Sequence, residues 1–230
     1  MPPTWQPVLM NAILLALTSH DDLGGVRPTG FYVPEAAHPW RVFRNAGFAV
    51  DLVSVRGGRP PMDGFDGDDP TQREFVNLPD LAATRPAAEV DSVGYDAIFY
   101  VGGHGTMWDF PHDTDLARLG RDIYEADGVV AAVCHGPSAL LNLTLSNGTY
   151  LVEGKEVSAF TNAEEEAVHL TEVVPFLLQT ALEERGAKHI AGPNFDCQVS
   201  VSERLVTGQN PASATRTAEE VVRLLKTKNS

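Results

Sequence analysis

The 230-residue sequence predicts an α/β fold: one domain over residues 1–230, with a mostly parallel sheet and helices on both of its faces. Three observations predict it. Short, nearly continuous apolar runs recur at residues 8–17, 49–55, 97–101 and 129–133, as in strands buried on both sides. Segments with helical spacing or helix-start residues separate them, so β and α elements alternate. Glycine and proline are spread along the chain, and no repeat, low-complexity tract or linker divides it.

The elements follow in order. Residues 8–17 read as a buried first strand, because no Lys or Arg precedes them, no small-residue cleavage site stands out, and the run is too short to span a bilayer. A cytoplasmic protein is therefore expected. A helix at 35–47 leads to the strand at 49–55. Residues 56–91 break the rhythm with Gly57-Gly58, Pro60-Pro61 and Gly-Asp-rich stretches, and read as a surface excursion with one short helix at 72–81. Loops of that length are often functional or act as lids. After the strand at 97–101 come a helix at 113–127, the strand at 129–133 and a helix start at 137–143. Asn147-Gly148 between apolar runs predicts a hairpin. Thr161-Asn162 opens an acidic helix, and residues 173–182 have helical spacing with Pro175 in the first turn. A strand at 204–207 and a helix at 211–226 complete the chain.

Composition excludes several function classes. Seventeen basic against 31 acidic side chains give a formal charge of -14, which repels a phosphate backbone or an anionic membrane. Neither nucleic acid nor membrane is expected as a partner. Two cysteines, Cys134 and Cys197, do not make the disulfide framework of a small secreted domain. The glycine and lysine spacings of dinucleotide and P-loop sites are absent, and no cofactor or metal is expected.

The sharpest local feature is Ala131-Ala-Val-Cys-His-Gly-Pro-Ser-Ala139, an apolar strand running into Cys134 with a helix starting at Gly136-Pro137. At such an elbow a side chain stands at the carboxyl edge of the sheet, and a helix amino end favours a thiolate. The competing reading makes Cys134 a small buried hydrophobe, and Ala132 stands where the usual elbow has glycine. A second turn, Gly102-Gly-His-Gly-Thr106, follows the preceding strand and shares that edge, so the amides of Gly103 and His135 are candidate oxyanion donors. It could equally be a tight turn with no ligand. His135 adjoins Cys134, though sequence neighbours rarely face each other; His104, His38 and His112 are rival bases. Among acids, Glu35 closes the first strand–loop–helix connection. Glu164, Glu165 and Glu166 read by default as a solvated helix face.

These residues resemble the ThiJ/PfpI superfamily, and within it the heat-shock, glyoxalase III-like branch. The resemblance rests on Thr29-Gly-Phe-Tyr-Val-Pro-Glu-Ala-Ala-His-Pro39, Tyr100-Val-Gly-Gly-His-Gly-Thr106 with Trp108-Asp-Phe-Pro111, Val133-Cys-His-Gly-Pro137, and Leu205-Val-Thr-Gly-Gln-Asn-Pro-Ala-Ser213. It implies a single-domain, flavodoxin-like three-layer sandwich of the class I glutamine amidotransferase type. It also implies a nucleophile at Cys134, its partner at His135, an acid beside the cysteine at Glu35, and a triad carboxylate after Phe160-Thr161 at Glu165, with Glu164 one register away. Gly103, His135 and His104 are then the substrate and oxyanion contacts. Some larger members carry zinc, but no matching His-Glu-His constellation is evident in the sequence. The implied activity is a lactate-forming lyase acting on methylglyoxal, a small reactive aldehyde, without glutathione, in a homodimer. A cysteine amidase, a protein deglycase, and a stress chaperone or oxidation sensor are the alternatives on the same fold.

Overall fold

Alternate side chains of a strand point to opposite faces of its sheet, and an apolar run uses both. In the strand Ala12–Leu17, Ile13, Leu15 and Leu17 enter one core while Leu14 and Ala16 enter a second. Tyr95–Tyr100 divides likewise, with Ala97 and Phe99 against Ile98 and Tyr100, as does Val129–Val133. The computed structural model, which describes residues 11–228, is therefore a three-layer α/β/α arrangement. The helices Val33–Asn45 and Ala214–Lys228 cover one face through Trp40, Phe43, Val221 and Leu225. Thr114–Glu125 and Leu178–Glu184 cover the other through Leu116, Leu119 and Leu182. Each fully buried Leu or Phe contributes ~1.5–3 kcal/mol, which explains why the strands are legible as apolar runs.

The sheet has seven strands in the order Val199–Ser202, Leu205–Gly208, Val129–Val133, Tyr95–Tyr100, Ala12–Leu17, Ala49–Ser54 and Arg85–Pro86. All pair in parallel except Val199–Ser202, which runs antiparallel to Leu205–Gly208 at one edge. The chain builds outward from Ala12–Leu17 to Arg85–Pro86, then returns to the other side of the first strand with Tyr95–Tyr100. Such a reversal leaves a crevice at the strands' carboxyl ends, where ligands of open α/β sheets bind. Both glycine-containing turns noted above open onto it.

Several expectations need correction. Residues 8–10 of the first run lie outside the described residues. The excursion 56–91 holds two helices, Pro70–Val76 and Pro79–Ala82, because Asn77-Leu78-Pro79 interrupts the single helix expected at 72–81. It is also docked: Met62–Asp63 pairs with Phe31–Tyr32, and Phe75 meets Phe31 and Trp40 edge-on at 6.2 and 5.9 Å. The hairpin at Asn147-Gly148 amounts to one antiparallel bridge, Thr144 to Tyr150. The helix expected at 173–182 runs over Leu178–Glu184 instead, and Pro175 lies ahead of it. After Cys134 there is a short 3₁₀ segment, Gly136–Leu140, where an α-helix was expected.

Candidate active site

The elbow is built by the backbone of Cys134, which sits at φ 59, in the left-handed region that is unfavourable for any residue but glycine. Its amide donates to the Gly208 carbonyl at 2.9 Å, and its carbonyl accepts from Phe160 N–H at 3.0 Å, so both flanking segments hold the strained turn. The turn swings His135 round until Nδ1 lies 3.3 Å from Sγ of its own neighbour. Thr106 fastens this elbow to the second turn, since its buried hydroxyl reaches the carbonyls of Gly103 at 2.9 Å and His135 at 3.0 Å.

Glu35 enters from the first turn of Val33–Asn45 and is fully buried. Its nearest polar neighbours are the Cys134 thiol and the Gly102 amide, yet neither carboxyl oxygen completes a hydrogen bond of good geometry. Burial accordingly lifts its pKa to about 8 against these weaker lowering contacts, so the group is a neutral acid at pH 7. Residue 102 must be glycine here: a Cβ would stand 2.3 Å from Oε2 of Glu35 and 2.9 Å from Cβ of Cys134.

The acidic run is not a solvated face. Glu164 and Glu165 are buried, and only Glu166 of the three is exposed. Oε2 of Glu165 lies 2.7 Å from Nε2 of His135, and its Oε1 lies 2.9 Å from Nε2 of His104. An ionised carboxylate only accepts, so both histidines donate from Nε2, and Nδ1 of His135 is left as a lone pair facing the thiol. Burial opposes ionisation of Glu165, but the hydrogen bonds from His104 and His135 overcome it and hold the group down at about 2. Burial, with His104 adding to it, lowers His135 to about 4, making it a neutral base. The two imidazoles lie 4.1 Å apart, and Phe160 covers His135 at 4.4 Å.

One expectation about this site is corrected. The thiol is not lowered: burial pushes Cys134 well above its ordinary value and Glu35 adds to that, outweighing the His135 amide. A five-residue 3₁₀ segment supplies little of the dipole that a helix would. Of the candidate oxyanion contacts, the His135 amide lies beside the sulfur and His104 pairs with Glu165. Gly103, at a φ of 107, keeps an amide without a hydrogen-bond acceptor among the described residues. His38 pairs with Asp69 at 2.7 Å and His112 is exposed outside the cavity, so neither rival base belongs to the site. One His-Glu-His group does converge: ligand atoms of His104, His135 and Glu165 lie within 4.8 Å of one another, close enough to hold a cation. As arranged, each Nε2 is committed to a carboxylate oxygen.

Glu164 has a separate task that the sequence pattern did not reveal. Its Oε1 accepts from Phe195 N–H at 2.7 Å, Gln209 Nε2 at 3.0 Å and Asn210 Nδ2 at 2.8 Å. Its Oε2 accepts from the Thr161 amide at 2.9 Å and hydroxyl at 3.2 Å, forming a capping box with the helix Asn162–Ala167. This buried carboxylate ties three segments into one wall. The cavity in front holds about 290 Å³ and is lined by Cys134, His135 and Glu35 together with Phe160, Phe195 and Val168. Tyr32, Arg27 and Asp63 line it as well, the last two joined by a 2.6 Å ion pair that brings the excursion to its edge.

Residues 28–224 match the model of the DJ-1/PfpI family. The glutathione-independent glyoxalase HSP31 of Saccharomyces cerevisiae is 36% identical, over 93% of this chain and 98% of that protein. Among solved structures, the Rapid Encystment Protein 24 kDa of Francisella tularensis superposes with a TM-score of 0.90 at 36% identity, covering 94% of this chain and 99% of that one. Glyoxalase III from Candida albicans superposes with a TM-score of 0.87 at 33% identity, covering 94% and 97%.

Proposed function

We propose that this chain, which belongs to the DJ-1/PfpI family, is a glutathione-independent glyoxalase that converts methylglyoxal and water to lactate through Cys134. One observation carries the reading: the unbroken line from Sγ of Cys134 to Nδ1 of His135, and from Nε2 of His135 to Glu165, beside a buried neutral acid. The names of similar proteins in two yeasts support the substrate class.

A raised thiol pKa means that the nucleophile is generated within the reaction rather than stored as a thiolate. Sγ bonds to the aldehyde carbon while its proton passes to Nδ1 of His135, and Glu165 stabilises the imidazolium. The oxygen of the new hemithioacetal is met by the Gly103 amide and receives the proton back, from His135 or by way of Glu35. Neutral His135 then removes the former aldehyde hydrogen as a proton, giving an enediolate; neutral Glu35 protonates the C2 oxygen and takes up the C1 hydroxyl proton, and His135 returns its proton to C2, giving a lactyl thioester. Water activated by His135 cleaves that thioester, releasing lactate and restoring the thiol. The sum is one methylglyoxal plus one water to one lactic acid.

Lactate formation from methylglyoxal without glutathione tests this directly. Wild type should turn over, and Cys134→Ala should fall to the uncatalysed rate. A pure, reduced wild-type protein that forms no lactate would overturn the proposal.

A further inference from the structure

The cavity of about 290 Å³ lies near the lower end of the ~300–1,000 Å³ range of small-molecule pockets, whose ligands are mostly larger than a three-carbon aldehyde. Its lining joins the reacting groups Cys134, His135 and Glu35 to the apolar side chains Phe160, Phe195 and Val168. Phe160 covers His135, and Phe195 follows 6.3 Å farther on, so the aromatic surface leads outward from the base.

Phe195 is not placed there by burial. Its residue is 47% exposed, and its backbone sits at φ 63, a conformation a phenylalanine adopts at a cost. The 2.7 Å bond from its amide to the buried Glu164 carboxylate holds it, with Gln209 and Asn210 on the same oxygen. Val168, also exposed at 38%, lines the same cavity. A buried charged network thus fixes an exposed aromatic ring in a strained turn that lines the same cavity as the thiol.

We infer that Phe195 and Val168, with Phe160 behind them, form an apolar subsite for the substituent of the 2-oxoaldehyde. The enzyme then takes aromatic and branched 2-oxoaldehydes, and Phe195 sets its preference for them. This inference rests on the glyoxalase reading of the same site.

The test compares initial rates with phenylglyoxal and methylglyoxal, which differ only in the substituent on the 2-oxoaldehyde. In Phe195→Ala the ratio of kcat/KM for phenylglyoxal to that for methylglyoxal should fall about tenfold, as expected for loss of one aromatic contact in a pocket. Val168→Ala should lower the same ratio by a smaller factor. Phe195→Gly, which removes both ring and strain, should match Phe195→Ala. A ratio unchanged within twofold in Phe195→Ala would overturn the subsite. A second arm, needing no turnover, measures calorimetric binding of the two products, mandelate and lactate. Wild type should bind mandelate more tightly, and Phe195→Ala should lose that preference; equal binding in wild type would also refute the subsite. If wild type converts neither aldehyde, the glyoxalase reading fails and this binding arm alone decides the subsite.

Discussion

Replacing Glu35 by glutamine should make the protein more stable at alkaline pH while damaging the site. In the folded protein, burial lifts the carboxyl from its ordinary 4.5 to about 8. At low pH the group is protonated in both folded and unfolded chains and adds no pH dependence. As pH rises above about 4.5 the unfolded chain loses this proton and the folded one keeps it. Stability therefore falls until pH passes about 8, where the folded group ionises too. At about 1.36 kcal/mol per pH unit the full loss is roughly 5 kcal/mol, and between about pH 5 and about pH 8 it is about 3–4 kcal/mol. Glutamine has no proton to lose. Urea unfolding of wild type and Glu35→Gln at those two pH values gives the difference directly, and contributions from every other carboxylate cancel in the comparison. The variant should gain about 3–4 kcal/mol relative to wild type on going to the higher pH. A relative gain below ~1 kcal/mol would mean that Glu35 is not held neutral, and the role of neutral acid would fall with it.

The same ionisations predict the rate profile. With His135 lowered to about 4 and Glu35 raised to about 8, kcat/KM should be level between these limits. It should decline below the first, as the base is protonated, and above the second, as the acid is lost. A kcat/KM that climbs through pH 8–9 (~1 unit above neutrality and beyond) would indicate a reactive preformed thiolate instead. The neighbouring glutamates should separate cleanly. Glu165→Gln should lower kcat by a factor on the order of 10²–10⁴, because an amide cannot accept from both histidines or stabilise the imidazolium. Glu164→Gln should instead cost ~2–4 kcal/mol of folding stability through weakened bonds to a buried carboxylate, with most of kcat retained below the unfolding transition. Thermal melts and lactate assays on both variants check this pair, and a greater loss of kcat in Glu164→Gln would reverse the assignment.

Why these glutamates were indistinguishable in sequence follows from what periodicity records. A strand such as Val129–Val133 is legible because every side chain is apolar and buried, and the same holds for Ala12–Leu17 and Tyr95–Tyr100. The crevice at their carboxyl ends, and the glycine turns opening onto it, follow from alternation and connection rules. The helix expected at 173–182 failed because Pro175 and the residues after it satisfy helical spacing without helical backbone, and the helix starts only at Leu178. The acidic run fails differently. Exposed glutamates dominate such patterns, and nothing local distinguishes those whose hydrogen-bond donors come from distant segments. The donors to Glu165 are His104 and His135, and those to Glu164 include Phe195, Gln209 and Asn210.

That tertiary supply of donors also accounts for the order of chemistry in the site. A helix-activated thiolate would require only local sequence, an elbow followed by a helix, whereas the structure has a five-residue 3₁₀ segment and a buried thiol. On this reading activation comes through His135, a base on the elbow itself that Glu165 orients from a distant segment. The two adjacent carboxylates make this possible by dividing the work. Glu164 fixes the wall and the turn carrying Phe195, and in doing so anchors the start of the helix on which Glu165 stands. Moving either charge by one residue along Asn162–Ala167 would rotate it by about 100° around the helix axis, away from its donors. Thr161→Ala should expose this dependence. Loss of the capping box should cost ~1 kcal/mol of stability and, by loosening the helix start, lower kcat for methylglyoxal, with the rate recovering as temperature is reduced. A variant that melts earlier but retains full kcat up to its transition would show that Glu165 is positioned by its histidines alone.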